Sequence, residues 1–242
     1  MGVGCAAVSL SDLWDRFTAV QAPPASGLIL ATAAAALAAV FIPAVWRLAR
    51  NLITITHEGG HALVAVLTGR QLRGIRLHSD TSGLTLARGK PRGLGMVLTL
   101  SAGYLMPSLL GLAAAAVLAT GRVTLLLWTA LILLFGVLLL IRNWFGLLSV
   151  TVTGAIVFAV SYYTAEATQA AITYVAVWFL LIGGVKPVLE VPRRRRGRSG
   201  SDPDQLARIT GIPAGLWIAV FAAANLACLA YGGYLLIQDR VM

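Results

Sequence analysis

Apolar residues run along this chain in long blocks, separated by short polar connections that collect most of the basic side chains. Blocks at 27–48, 94–120, 123–141, 145–163, 170–188 and 213–237 reach or approach the roughly 20 residues that a helix needs to cross a bilayer. Residues 51–69 are also apolar but a little short for a span, with Arg47 and Arg50 before them and Arg70 and Arg73 after. The pattern changes at 70–92, where Leu72, Ile75, Leu77, Leu84 and Leu86 mix with Arg73, Arg76, His78, Asp80 and Arg88. With Asp80-Thr81-Ser82-Gly83 as a turn signal, that segment predicts a β-hairpin. In residues 1–26, Leu10, Leu13, Trp14 and Phe17 keep helical spacing opposite Asp12, Asp15 and Arg16, until Pro23 and Pro24. A membrane-surface helix is expected there. The predicted fold is an all-α polytopic membrane protein of about six to seven transmembrane or membrane-embedded helices, with a small β-hairpin after the short 51–69 helix. It divides into an interfacial segment, 1–26, and a single integral-membrane domain, 27–242.

Composition agrees. Of 242 residues, 58% are hydrophobic and 12% charged, and the mean hydropathy is +0.83. An ordinary soluble domain carries about 25% charged residues. The net charge of +10 does not argue for nucleic acid, because the basic residues lie between apolar blocks, as orientation in a bilayer requires. Placing 70–92, Arg142 and 190–212 in the cytoplasm leaves 120–122, 164–169 and the C-terminus outside. The run Arg193-Arg194-Arg195-Arg196-Gly197-Arg198 reads as a topogenic and anionic-lipid-facing feature. Cys5 and Cys228 are too far apart in sequence to suggest a disulfide framework. Residues 1–26 lack the basic start and long apolar core of a cleavable signal peptide.

Candidate chemistry sits in the short 51–69 block. His57-Glu58-Gly59-Gly60-His61 is an H-E-x-x-H sequence, and it uses two of the three histidines in the chain. On a helix, positions four apart share a face, so the two imidazoles can grip one zinc ion while Glu58 serves as general base. Unpaired, these groups are costly inside apolar sequence. Gly59 and Gly60 indicate either close access for a substrate backbone or close helix packing. His78 reads as a polar hairpin residue. A catalytic zinc site takes three protein ligands, so another is needed. Asp202 and Asp204 lead into the last block from the cytoplasmic side. Asp202-Pro203-Asp204-Gln205 is also a good helix start, with Asp202 as N-cap and Gln205 closing a capping box. The residues alone leave Asp202 between the two roles.

Several segments resemble the site-2 protease family of intramembrane zinc metalloproteases. They are His57-Glu58-Gly59-Gly60-His61-Ala62-Leu63, Thr68-Gly69, the basic hairpin with Ser82-Gly83, Ser101-Ala102-Gly103-Tyr104 and Arg142-Asn143-Trp144-Phe145-Gly146. Ser201-Asp202 followed by Leu206-Ala207 is similar to the small bacterial branch that lacks a PDZ domain. The resemblance implies a zinc-dependent endopeptidase that hydrolyses peptide bonds in transmembrane segments of membrane proteins, multi-pass in a bacterial plasma membrane. It implies Zn2+ on His57, His61 and Asp202, with Asp204 the next choice, Glu58 as the catalytic residue and Asn143 orienting substrate. The broader family takes its third ligand from an Asp-Gly pair, which is absent from this sequence. The alternative is a non-proteolytic membrane protein with a structural or vestigial metal site.

Overall fold

A computed structural model describes residues 14, 18–22, 24–194 and 200–238. Most of the expected surface helix at 1–26, including Leu10, Leu13 and Phe17, and most of the arginine run at 193–198 lie outside the described residues. Helices α1 (Ser26–Phe41) and α2 (Pro43–Leu67) are followed by strands β1 (Gln71–Leu77) and β2 (Gly83–Arg88). Helices α3 (Leu94–Ala119), α4 (Val123–Leu140), α5 (Trp144–Tyr163), α6 (Glu166–Arg194), α7 (Asp202–Thr210) and α8 (Ala214–Gln238) complete the chain. Five of these helices, α3, α4, α5, α6 and α8, are long and apolar enough to cross a membrane. The pair α1–α2, bent by 99°, is a sixth candidate if it counts as one broken span.

The bend corrects one expected boundary. The sequence reading ends the first block near Arg47–Arg50, whereas the helix breaks at Ile42 and α2 starts at Pro43. Proline lacks an N–H and disfavours helical backbone in the residue before it, so Ile42 turns extended (φ −77°, ψ 115°). Lys186 of α6 holds the elbow: its Nζ donates to the Val40 carbonyl at 2.5 Å and lies 4.4 Å from the centroid of the Trp46 ring. One turn further along both helices, Arg50 and Glu190 pair at 3.8 Å.

Helices α1, α2, α3, α6 and α8 pack into the body. Close approach depends on small residues. A Cβ on Gly60 would lie 2.6 Å from the Met106 Cβ and 2.9 Å from the Ala102 carbonyl oxygen. Of the two motif glycines, Gly60 therefore serves helix packing, while Gly59 meets nothing nearer than Val137 Cγ2 at 3.6 Å. Buried Asn225 of α8 donates from Nδ2 to the carbonyls of Tyr104 in α3 and Gly184 in α6, at 3.0 and 3.1 Å, bolting three helices together. Helices α4 and α5 pack mainly on each other and leave Ile132, Phe135, Leu148 and Ile156 exposed. So much exposed apolar surface suits lipid and not water.

The hairpin is antiparallel, with Ile75 opposite Thr85 and a bulge between Leu72 and Gly74. At its tip, Ser82 donates to Asp80 Oδ1 from both N and Oγ, at 3.0 and 2.6 Å. These bonds hold the Asp80 carboxyl below its ordinary range. The segment after α4 adds to β1: Ile141 bridges Ile75 in parallel, and the Arg142 N–H donates to the Ile75 carbonyl at 2.9 Å. Thr54 Oγ1 of α2 donates to the Thr81 carbonyl at 2.9 Å. The hairpin is thereby fixed from both sides, close to the H-E-x-x-H turn.

Candidate metal centre

His57 and His61 lie one turn apart on α2, and α7 brings a carboxylate to them. The Nε2 atoms of the two histidines are 3.1 Å apart. Asp202 Oδ2 is 3.3 Å from His57 Nε2 and 3.2 Å from His61 Nε2. Ligands on a tetrahedral zinc at bonds of about 2.0–2.2 Å stand roughly 3.3–3.6 Å from each other. The triangle is close to that spacing, and the three residues could hold a metal ion.

The donor chemistry fits as well. His61 Nδ1 lies 2.7 Å from the Thr99 carbonyl oxygen, which can only accept, so Nδ1 carries a proton, and the neutral ring then offers its lone pair at Nε2. His61 Nε2 and Asp202 Oδ2 face one another at 3.2 Å, a gap that a shared cation, either a proton or a metal ion, bridges. His57 is braced edge-on by the Tyr104 ring, at 4.9 Å between centroids. Gly103 covers the imidazoles so closely that a Cβ there would fall on the Nε2 atoms of both.

Asp202 reaches the histidines because it is not the cap of its helix. The N-cap is Ser201, one residue earlier than expected, which puts Asp202 at the first helical position and Asp204 at the third. Ser201 donates to Asp204 Oδ2 from Oγ at 2.7 Å and from N at 3.3 Å. This is a capping box, and it occupies Asp204 rather than the expected Gln205.

Glu58 is buried, 4% exposed, on the neighbouring face of α2. Its Oε2 accepts a hydrogen bond from Thr85 Oγ1 at 2.6 Å. Asn143 stands beside β1. Its side-chain amide pairs with the backbone of Leu77, Nδ2 donating to the carbonyl at 2.6 Å and Oδ1 accepting from the N–H at 3.1 Å. It acts as one more peptide unit beside β1. His78 stays at the exposed hairpin tip, 3.3 Å from Ser82 Oγ. Thr85 and Thr99 carry no signal in the sequence that ties them to the site, and Tyr104 is marked only as the end of the Ser101-Ala102-Gly103-Tyr104 segment. The alternation Gly83, Thr85, Ala87 along β2 marks an inward face, but nothing in the sequence says what that face meets.

No curated protein and no solved structure matches the chain. Residues 30–232 match the family model described as Peptidase M50B-like. With most of its length matched, and with two histidines and an aspartate converging beside a buried glutamate, the chain belongs to the M50B-like branch of the site-2 protease family.

Proposed function

We propose that the protein is an intramembrane zinc endopeptidase that hydrolyses peptide bonds in transmembrane segments of membrane proteins. The observation that carries this reading is the triangle of His57, His61 and Asp202 beside buried Glu58, on helices packed against the long apolar ones. Residues 27–242 would form one catalytic domain in a bacterial plasma membrane, with the hairpin and residues 190–212 on the cytoplasmic side.

His57 Nε2, His61 Nε2 and an Asp202 oxygen would hold zinc. Bound there, the metal supplies Lewis acidity for hydrolysis at neutral pH. The residues of the chain do the rest. Glu58 takes the proton from the attacking water and returns it to the leaving amine. The Thr99 carbonyl keeps His61 in the tautomer that offers Nε2. Burial of Glu58 and His61 strengthens the electrostatic interactions between them and their partners. A substrate helix must unwind locally, because helical backbone shields its own peptide bonds.

The test is cleavage of a quenched-fluorescence peptide containing one transmembrane segment with a central Gly-Pro break, by the purified full chain in nanodiscs. Wild type should cut it, and Glu58→Gln should keep its zinc and lose cleavage. Undiminished cleavage by Glu58→Gln overturns the reading.

A further inference from the structure

The Glu58 side chain belongs to the motif helix, but its carboxylate is seated by the hairpin. Thr85 Oγ1 donates to Oε2 at 2.6 Å and lies 3.1 Å from the carbonyl oxygen of Glu58. Gly83, two residues earlier on the same face of β2, comes so near that a Cβ there would lie 2.5 Å from Oε1 and 2.7 Å from Cδ. The half-buried face of β2 carries Gly83, Thr85 and Ala87, and the other carries Leu84, Leu86 and Arg88. Both contacts to Glu58 thus come from one strand face. The position of the hairpin is also set away from Glu58, through Thr54 on the Thr81 carbonyl of the turn and Asn143 on Leu77 of β1.

A buried carboxylate needs fixed donors, and one that moves a proton also needs one oxygen left free for the transfer. We propose that Thr85 is a positioning residue for Glu58. Its hydroxyl engages Oε2 and directs Oε1 to the reacting water, while glycine at position 83 leaves room for that oxygen. The hairpin is then part of the catalytic machinery. The consequence for turnover rests on the peptidase reading, whereas the contact itself does not.

The experiment uses the full chain in nanodiscs, zinc-loaded and labelled with 13C at glutamate side-chain carboxyls. The chain has three glutamates, Glu58, Glu166 and Glu190. Loss of one resonance in Glu58→Gln therefore assigns Glu58. Thr85→Val, which keeps the shape and removes the hydroxyl, should move the Glu58 resonance, and Thr85→Ser should restore it. Zinc content should stay at the wild-type level in both. With the quenched transmembrane peptide, Thr85→Val should lower kcat roughly ten- to a hundredfold, the loss expected for one hydrogen bond to a charged group, with KM within about twofold. Thr85→Ser should recover most of the rate. An unmoved Glu58 resonance in Thr85→Val overturns the proposal, as does an unchanged kcat or equal loss in Thr85→Val and Thr85→Ser. A wild-type chain that cuts nothing while the resonance still responds overturns the peptidase reading and upholds the contact.

Discussion

Ser201 Oγ donates to Asp204 Oδ2 at 2.7 Å, and this bond determines which of two nearby carboxylates faces the histidines. Asp204 turns back to cap α7, so Asp202, at the first helical position, points to His57 and His61. The two aspartates have separate tasks. Asp204→Ala should therefore lower stability by about 1 kcal/mol, the usual value of a lost cap, without removing the carboxylate from the histidines. Unfolding in mixed micelles with rising SDS measures the first effect.

Gly59 and Gly60 are adjacent yet should respond in opposite ways. A Cβ at Gly60 meets the α3 backbone and Met106. Gly60→Ala should cost about 1–3 kcal/mol by overpacking. At Gly59 the nearest atom is 3.6 Å away, so Gly59→Ala should be neutral or stabilising by up to about 1 kcal/mol through helix propensity. The same micelle titration distinguishes them.

Asn143→Ala leaves the N–H and carbonyl of Leu77 without their side-chain partners. Amide exchange at Leu77 should accelerate at least tenfold, corresponding to about 1.4 kcal/mol or more of lost protection. Exchange in the buried helix α6 should not change. Mass spectrometry after deuterium labelling in nanodiscs measures both.

Lys186→Met removes the cation that caps the end of α1 and sits over Trp46. A hydrogen bond from a charged donor contributes about 1.5–3 kcal/mol, and the elbow should loosen by that order. Spin labels at exposed Leu30 and Leu48, one on each arm, should report a broader distance distribution than in wild type.

Much of this architecture is legible in the sequence. Block lengths predict the long helices, the mixed pattern at 70–92 predicts the hairpin, and the spacing of His57 and His61 predicts a shared face. What stays hidden are choices between physically similar options. Ser201 and Asp202 are both good N-caps, and one residue of frame decides whether Asp202 caps the helix or reaches the histidines. Pro43 could begin a helix or kink one; only packing around Lys186 and Trp46 makes it an elbow. Asn143 carries an amide that can bind a substrate or imitate a peptide, and its use depends on β1 arriving beside it. Thr85 is 27 residues from Glu58 in sequence, and no local pattern links them.

Zinc stoichiometry in purified wild type and Asp202→Ala tests the proposed centre most directly. Wild type should carry about one zinc per chain and Asp202→Ala should lose most of it, with Asp204→Ala staying at the wild-type level. Equal zinc in wild type and Asp202→Ala would contradict that centre.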